Sequence, residues 1–220
     1  MIAHKLIEIV KRLAHSGLPS LEILSEAVIA GELRRVSCTP LDAPTYPGFS
    51  AWGDVVRRLR ELLIPHGWWP KNVNNLPLVV DPVRKVGIAV AAGTDGVGKL
   101  GRHPTTKQPK GAVARGLIVA NRGQMNIFGD DDRRLVPMPK ASDITTWLLL
   151  IFTEYKPRSE DAGDHVAYCE LSLPKEIDEE GFITKWAERI ILPPVRIDEP
   201  PALPQEDDDE DDLDVPVSRL

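Results

Sequence analysis

Cysteine is nearly absent: Cys38 and Cys169 are the only two in 220 residues. Each stands alone, with no His or second Cys at metal-ligand spacing. That excludes a disulfide framework and a thiolate metal site, and two reduced thiols predict a cytoplasmic protein. Long apolar runs are also missing, since none reaches the ~18 residues that a membrane span needs. The opening MIAHKLIEIVKRLAHSG is broken by Lys5, Glu8, Lys11 and Arg12, so it lacks a signal peptide's apolar region. His4, His15, His66, His103 and His165 are scattered and form no ligand pair. No G-x-S-x-G nucleophile motif occurs, and no repeat with a period of roughly 20–50 residues is visible. A single substantial core with no membrane partner is the class that remains.

Charge is unevenly distributed. The net charge is −6, but residues 206–220 hold eight acids and only Arg219 as a base, a net of −7. The body is therefore near neutral and wears an acidic tail, EDDDEDDLD at 206–214. From Ile197 onward the chain is proline-rich and then acidic, a composition that predicts disorder over 198–220.

The first third has helical periodicity. Ile2, Leu6, Ile9, Val10 and Leu13 share one face, and Gly17 stops that helix. Pro19 and Ser20 open a second helix with Leu21, Leu24, Ala27 and Val28 on one face, expected to end near Gly31. Residues 1–36 thus form an N-terminal helical segment, and the proline-rich 37–49 reads as a linker. Ser50 is the expected N-cap of a third helix striped by Trp52, Val55, Val56, Leu59, Leu62 and Leu63. Trp68 and Trp69 follow it as a core plug or lid. Strands are predicted at 76–81 and 86–92, joined as a hairpin, and at 145–155 and 165–173, a second hairpin expected mid-sheet. The run 186–195 ends at Pro193–Pro194 and suits a last edge strand. Val113, Leu117 and Ile118 suit a short helix. The predicted fold is α+β: N-terminal helices packed on one face of a mainly antiparallel sheet built from two hairpins and a last edge strand. The core domain spans 50–197 and carries a basic, glycine-rich insertion at 93–122.

That insertion is the most informative stretch. It reads GTDGVGKLGRHPTTKQPKGAVARGLIVANR, with Asp95 as its only acid and five glycines before residue 112. Lys99, Arg102, Lys107, Lys110, Arg115 and Arg122 are six cations that can meet phosphates, through side chains and through backbone N–H groups exposed by glycine. Arg57, Arg58 and Arg60 would extend the patch if the third helix lay beside it. No aromatic residue interleaves these cations before Phe128, so base stacking is not supported within the segment. Gly93 to Lys99 spells G-x-x-x-x-G-K after an apolar strand. A phosphate-binding P-loop needs Ser or Thr next and then a helix, and Leu100, Gly101 and Pro104 deny both. Its strand also belongs to a parallel βαβ unit, whereas this one reads as half of a hairpin.

A second chemistry is written in carboxylates. Glu154-Tyr155-Lys156 closes an apolar strand and resembles the E-x-K element of the PD-(D/E)xK nuclease superfamily. The resemblance implies a Mg²⁺-dependent nuclease in which Asp81, at an earlier strand end, and Glu170, on the neighbouring strand, join Glu154 as metal ligands, with Lys156 polarising the attacking water or the scissile phosphate. Roughly a third of the chain separates Asp81 from Glu154, whereas that superfamily sets them on adjacent strands. The sequence favours a different reading: a non-enzymatic accessory protein without a cofactor that binds DNA, RNA or another phosphate-bearing partner through 99–122, tuned by its acidic tail. A protein-interaction adaptor that binds through the tail is the remaining alternative.

Overall fold

The computed structural model describes residues 2–121, 139–157 and 163–198. Arg122 and the tail from residue 199 lie outside them. Three helices come first: α1 (Ile2–His15), α2 (Leu21–Val36) and α3 (Tyr46–Leu63). Strands β1 (Trp69–Val73), β2 (Leu76–Asp81) and β3 (Val86–Ala92) follow, then α4 (Ala112–Asn121). The described residues end in β4 (Thr145–Pro157), β5 (Gly163–Ile177), β6 (Ile183–Ile191) and β7 (Val195–Asp198).

Local chemistry sets the helix boundaries. Gly17, at φ 65°, turns the chain out of α1. Ser20 caps α2, its hydroxyl accepting from the Ile23 N–H at 3.5 Å. Gly31 does not end that helix as expected. It lies within it, because a Cβ there would sit 2.3 Å from Val55 Cγ2 and 2.8 Å from the Ala51 carbonyl; glycine lets α2 cross α3 at close range. The third helix starts at Tyr46 rather than after Ser50, with Pro47 in its first turn, where a missing N–H costs nothing.

The seven described strands form one sheet, six of them in the order β1-β2-β3-β4-β5-β6 and β7 beside β5. Every pair is antiparallel except β3–β4, which run parallel with Val86 opposite Thr145 and Ala92 opposite Ile151. The connection that makes them parallel carries the glycine-rich segment and α4. So β3 is both half of a hairpin and the first strand of a crossover, a combination the sequence reading treated as exclusive. Strand β1 was not expected: Trp68 is buried, but Trp69 starts this strand and is half exposed. Along the edge, β6 pairs with Glu170–Ile177 and β7 with Asp164–Ala167 of β5, interrupted by Pro193 and Pro194.

Alternation along the central strands divides the core in two. Trp147, Leu149 and Ile151 of β4 meet Ile9, Leu13, Leu24, Val28, Val55 and Leu59 of α1–α3. Leu148 and Leu150 face the other way, toward Leu117 and Ile118 of α4 and Val97 of the glycine-rich segment. Helices thus cover both faces, three on one and a single short one on the other. Asn121 locks the end of α4 to β4 by donating to the Thr146 carbonyl at 3.0 Å and accepting from its N–H at 2.8 Å. Among the described residues no helix is long and apolar enough to cross a membrane.

Candidate nucleic-acid interface

The glycine-rich segment is folded back on itself and fastened to the sheet. Thr94 N–H donates to the Thr105 carbonyl at 3.0 Å, and Lys107 N–H to that of Ala92 at 2.9 Å, extending β3 by a short antiparallel return. Val97 is fully buried beneath it. The main fastening is an ion pair. Arg189 of β6 binds the wholly buried Glu170 of β5 through two nitrogens, Nε to Oε1 at 2.9 Å and Nη2 to Oε2 at 2.6 Å. Ser172 adds a hydroxyl donor to Glu170 at 2.6 Å. The same pair grips the segment's backbone. Glu170 Oε2 accepts from Gly98 N–H at 2.9 Å, and Arg189 donates to the carbonyl of Arg102 at 2.5 Å. Trp186 Nε1 donates to the Pro104 carbonyl at 2.8 Å.

Gly98 shows why glycine precedes lysine here. Its φ is 68°, and a Cβ would stand 3.0 Å from Tyr168 Cβ and 3.4 Å from the Cys169 nitrogen. Because it has none, the backbone lies flat on β5 and sets the next residue over the aromatic pair beneath. Lys99 Nζ is 5.1 Å from the centroid of Tyr168 and 5.5 Å from that of Phe152, residues that face each other across β4 and β5. Lys156 approaches the same Tyr168 ring at 5.5 Å and donates to its hydroxyl at 2.9 Å. That hydrogen bond is the main reason the Lys156 ammonium is held above its ordinary value. Glu154, 3.7 Å away, works in the same direction, and the charge of Arg196 on β7 opposes it. Two cations, one from the loop and one from β4, therefore meet at one tyrosine, with Glu154 beside Lys156 and the charge of Arg196 felt at Lys156. Ammonium groups held against ring faces keep outward N–H donors for phosphate oxygens.

The other cations predicted for this role are dispersed. Arg102 and Lys107 are exposed on the segment, away from any described partner ring. Lys110 turns into an apolar pocket beneath α4. Arg115 donates to the Glu179 carbonyl at 2.7 Å. Arg57 and Arg58 pair with Asp54, Glu61 and Glu26 on the opposite side of the sheet, and Arg60 caps the β1–β2 hairpin through Asn72 and the Leu78 carbonyl. No strip continues from Arg57 to Lys99.

The nuclease constellation is not brought together. Asp81 accepts from Val83 and Arg84 N–H groups at 2.9 and 3.0 Å and pairs with the Arg84 guanidinium at 2.6 Å, which makes it the organiser of the β2–β3 turn. It lies level with Thr145 at the start of β4, while Glu154 is near the other end, roughly 30 Å along the strand. Glu170 is engaged by Arg189. Among the described residues no cluster of three His, Cys, Asp or Glu side chains could hold a metal ion. The P-loop look-alike is likewise occupied, since the Gly98 N–H that would meet a phosphate meets the Glu170 carboxylate instead. Burial pushes the Cys169 thiol up to about 12, which leaves it inert.

Tyr168, Phe152 and Arg196 escaped the sequence reading. Symmetry about the expected loop at 156–164 sets Phe152 opposite Tyr168, so that pair was within reach. The approach of Lys99 to Tyr168 is a long-range contact with no local signal. No protein-family model matches this chain, no curated protein matches it, and no solved structure matches it.

Proposed function

We propose that this protein is a non-enzymatic binder of nucleic acid, or of another phosphate-bearing polyanion, that works through Lys99, Lys156 and Arg196 around Tyr168. The observation that carries the reading is the convergence of two lysines from separate segments on one tyrosine ring. Like charges repel, and a fold that holds two lysines against one ring favours an anion between them. Phosphate contacts of this kind give affinity without base information. The acidic tail fits the same site as a competitor in cis. Strand β7 delivers the chain to this edge of the sheet, and the first acid of the run, Glu206, follows Asp198 by a span that an extended chain covers in roughly 26 Å.

Anisotropy titrations against duplex and single-stranded oligonucleotides test the reading. With about three phosphates engaged, log K should fall with log salt at a slope of roughly −3 for duplex and −2 for single strands. Lys99→Ala with Lys156→Ala should flatten the slope by about 2 for every sequence alike. Arg57→Ala, on the far face, should leave it unchanged. If a tail-deleted protein binds neither oligonucleotide in dilute salt, the reading fails and a protein partner engaged through the tail takes its place.

A further inference from the structure

A small apolar pocket lies between α4 and the sheet, apart from the tyrosine platform. Leu76, Ala89, Ala91, Leu117, Ile118 and Leu148 supply most of its wall. It exists because β3 carries alanine where β4 carries leucine: Ala89 pairs with Leu148 and Ala91 with Leu150. The one charged group in its lining is Lys110. Among the described residues no acceptor pairs with that amine.

The backbone of Lys110 is held fast. Its N–H donates to the Gly181 carbonyl at 2.7 Å, and a Cβ on Gly181 would stand 2.7 Å from the Lys110 oxygen. Asp178 fixes that turn in its place by accepting from the Gly181 and Phe182 N–H groups at 2.8 Å. Lys110 thus lines an apolar recess from a rigid backbone. Desolvation pulls Lys110 below the ordinary lysine value. Among the described residues no other charge lines the recess from β2, β3, β4, β5 or α4 to oppose that effect. An apolar environment favours loss of the proton, and the amine that has lost it is a nucleophile.

We propose that Lys110 and its pocket form a covalent binding site for a small aldehyde or ketone with an apolar body. The neutral amine attacks the carbonyl carbon and a C=N bond forms. The two protons lost from nitrogen pass through solvent to the carbonyl oxygen, which leaves as water, so neither an oxidant nor a reductant is required. The apolar wall accommodates the body of the ligand and limits water's return to the imine.

Butanal with cyanoborohydride at neutral pH, followed by peptide mapping of the full chain, tests this directly. Lys110 should be alkylated several-fold faster than the exposed Lys85 and Lys107, and its rate should level off at a lower pH than theirs. In urea the three rates should converge. Lys110→Met should remove that one adduct and leave the others, with a melting curve to show that the variant is folded. The wild-type map decides the matter even if the variant does not fold. Labelling of Lys110 no faster than of Lys107 in the native protein would overturn the proposal.

Discussion

The two faces of the sheet are closed by different physics. The helical face is sealed mainly by hydrocarbon: Leu13, Leu24, Leu59, Leu63 and Leu149 are all almost wholly buried there, and one buried carboxylate, Glu32, is held by Arg35 and Thr153. The other face has one short helix and a backbone segment held by a buried ion pair, an indole donor and close glycine contacts. Apolar packing tolerates small shifts in register, whereas a bidentate ion pair with two backbone partners works in one geometry. The precisely fixed cations, Lys99 and Lys110, both lie on the ion-paired face. Fastening by polar groups fixes side chains in one geometry; packing by leucines supplies the base beneath them.

Substitutions on each face sharpen the contrast, and the largest loss is expected at the ion pair. Glu170→Gln removes one charge and leaves Arg189, whose side chain is only 18% exposed, without its partner. Loss of one member of a buried pair costs about 3–5 kcal/mol. Leu59→Ala on the helical face should cost about 2–5 kcal/mol through its cavity. The two variants should separate in protease sensitivity. Glu170→Gln should open the native protein to trypsin at Lys99 and Arg102, and Leu59→Ala should not. Glu170→Leu with Arg189→Met should recover much of the lost stability, because two apolar side chains leave no buried charge behind. A cost below ~1 kcal/mol for Glu170→Gln would put the pair with ordinary surface bridges and dissolve the contrast.

Glycine contacts come next in size. Gly98 and Gly101 both have positive φ, 68° and 73°. Alanine at either costs roughly 1–2 kcal/mol for the left-handed backbone. Only at Gly98 does the new Cβ meet a neighbour, so Gly98→Ala should lose about 1 kcal/mol more than Gly101→Ala by denaturant titration. It should also lift Lys99 from Tyr168 and weaken oligonucleotide binding. Equal losses at both positions would mean that the loop does not press on β5 closely enough to position anything.

How much of this could be read in advance follows the same divide. The helical face was legible because helical periodicity in α2 and α3 and the apolar hairpin 145–173 are local patterns. The basic insertion was identified as a phosphate-binding candidate, but only Lys99 of its described cations joins the platform. Membership is decided by Gly98, Glu170 and Arg189, which are far apart in sequence. Gly31 was misread as a helix end for a similar reason. Its absent side chain answers a neighbouring helix, and local sequence carries no trace of that contact. Asp81 and Glu154 looked paired because both end strands, and sheet order puts those ends on opposite sides.

A smaller effect is expected at Lys110. Its folded value lies below the ordinary lysine value, so the unfolded chain holds the proton more tightly. Stability contributed by this residue should therefore be lowest at neutral pH and rise as pH climbs from the folded value toward the unfolded one. Lys110→Met should raise the melting temperature at neutral pH, and the gain should shrink in alkaline buffer. A variant less stable than wild type at neutral pH would mean that the ammonium has a partner worth more than its desolvation.

The least effect on stability, and the clearest link between the platform and the rest of the chain, is expected from removing 199–220. Eight acids in nine residues repel one another and offer little apolar surface. With roughly 1 kcal/mol shifting a chain of this size by only ~2–4 °C, the melting temperature should stay within a degree or two. The cut must follow Asp198, because Val195 is buried and β7 pairs with β5 from Asp164 to Ala167. A second cut before Val195 should therefore lower stability far more than the first, by exposing the β5 edge. Loss of the tail should strengthen oligonucleotide binding most in dilute salt, where screening between the acidic run and Lys99, Lys156 and Arg196 is weakest. The gain should vanish when Lys99 and Lys156 are both alanine, since the competitor and the ligand then lose the same partners. A ten-degree drop on cutting after Asp198, or tighter binding that persists in the double-alanine protein, would show that the tail acts somewhere other than this face.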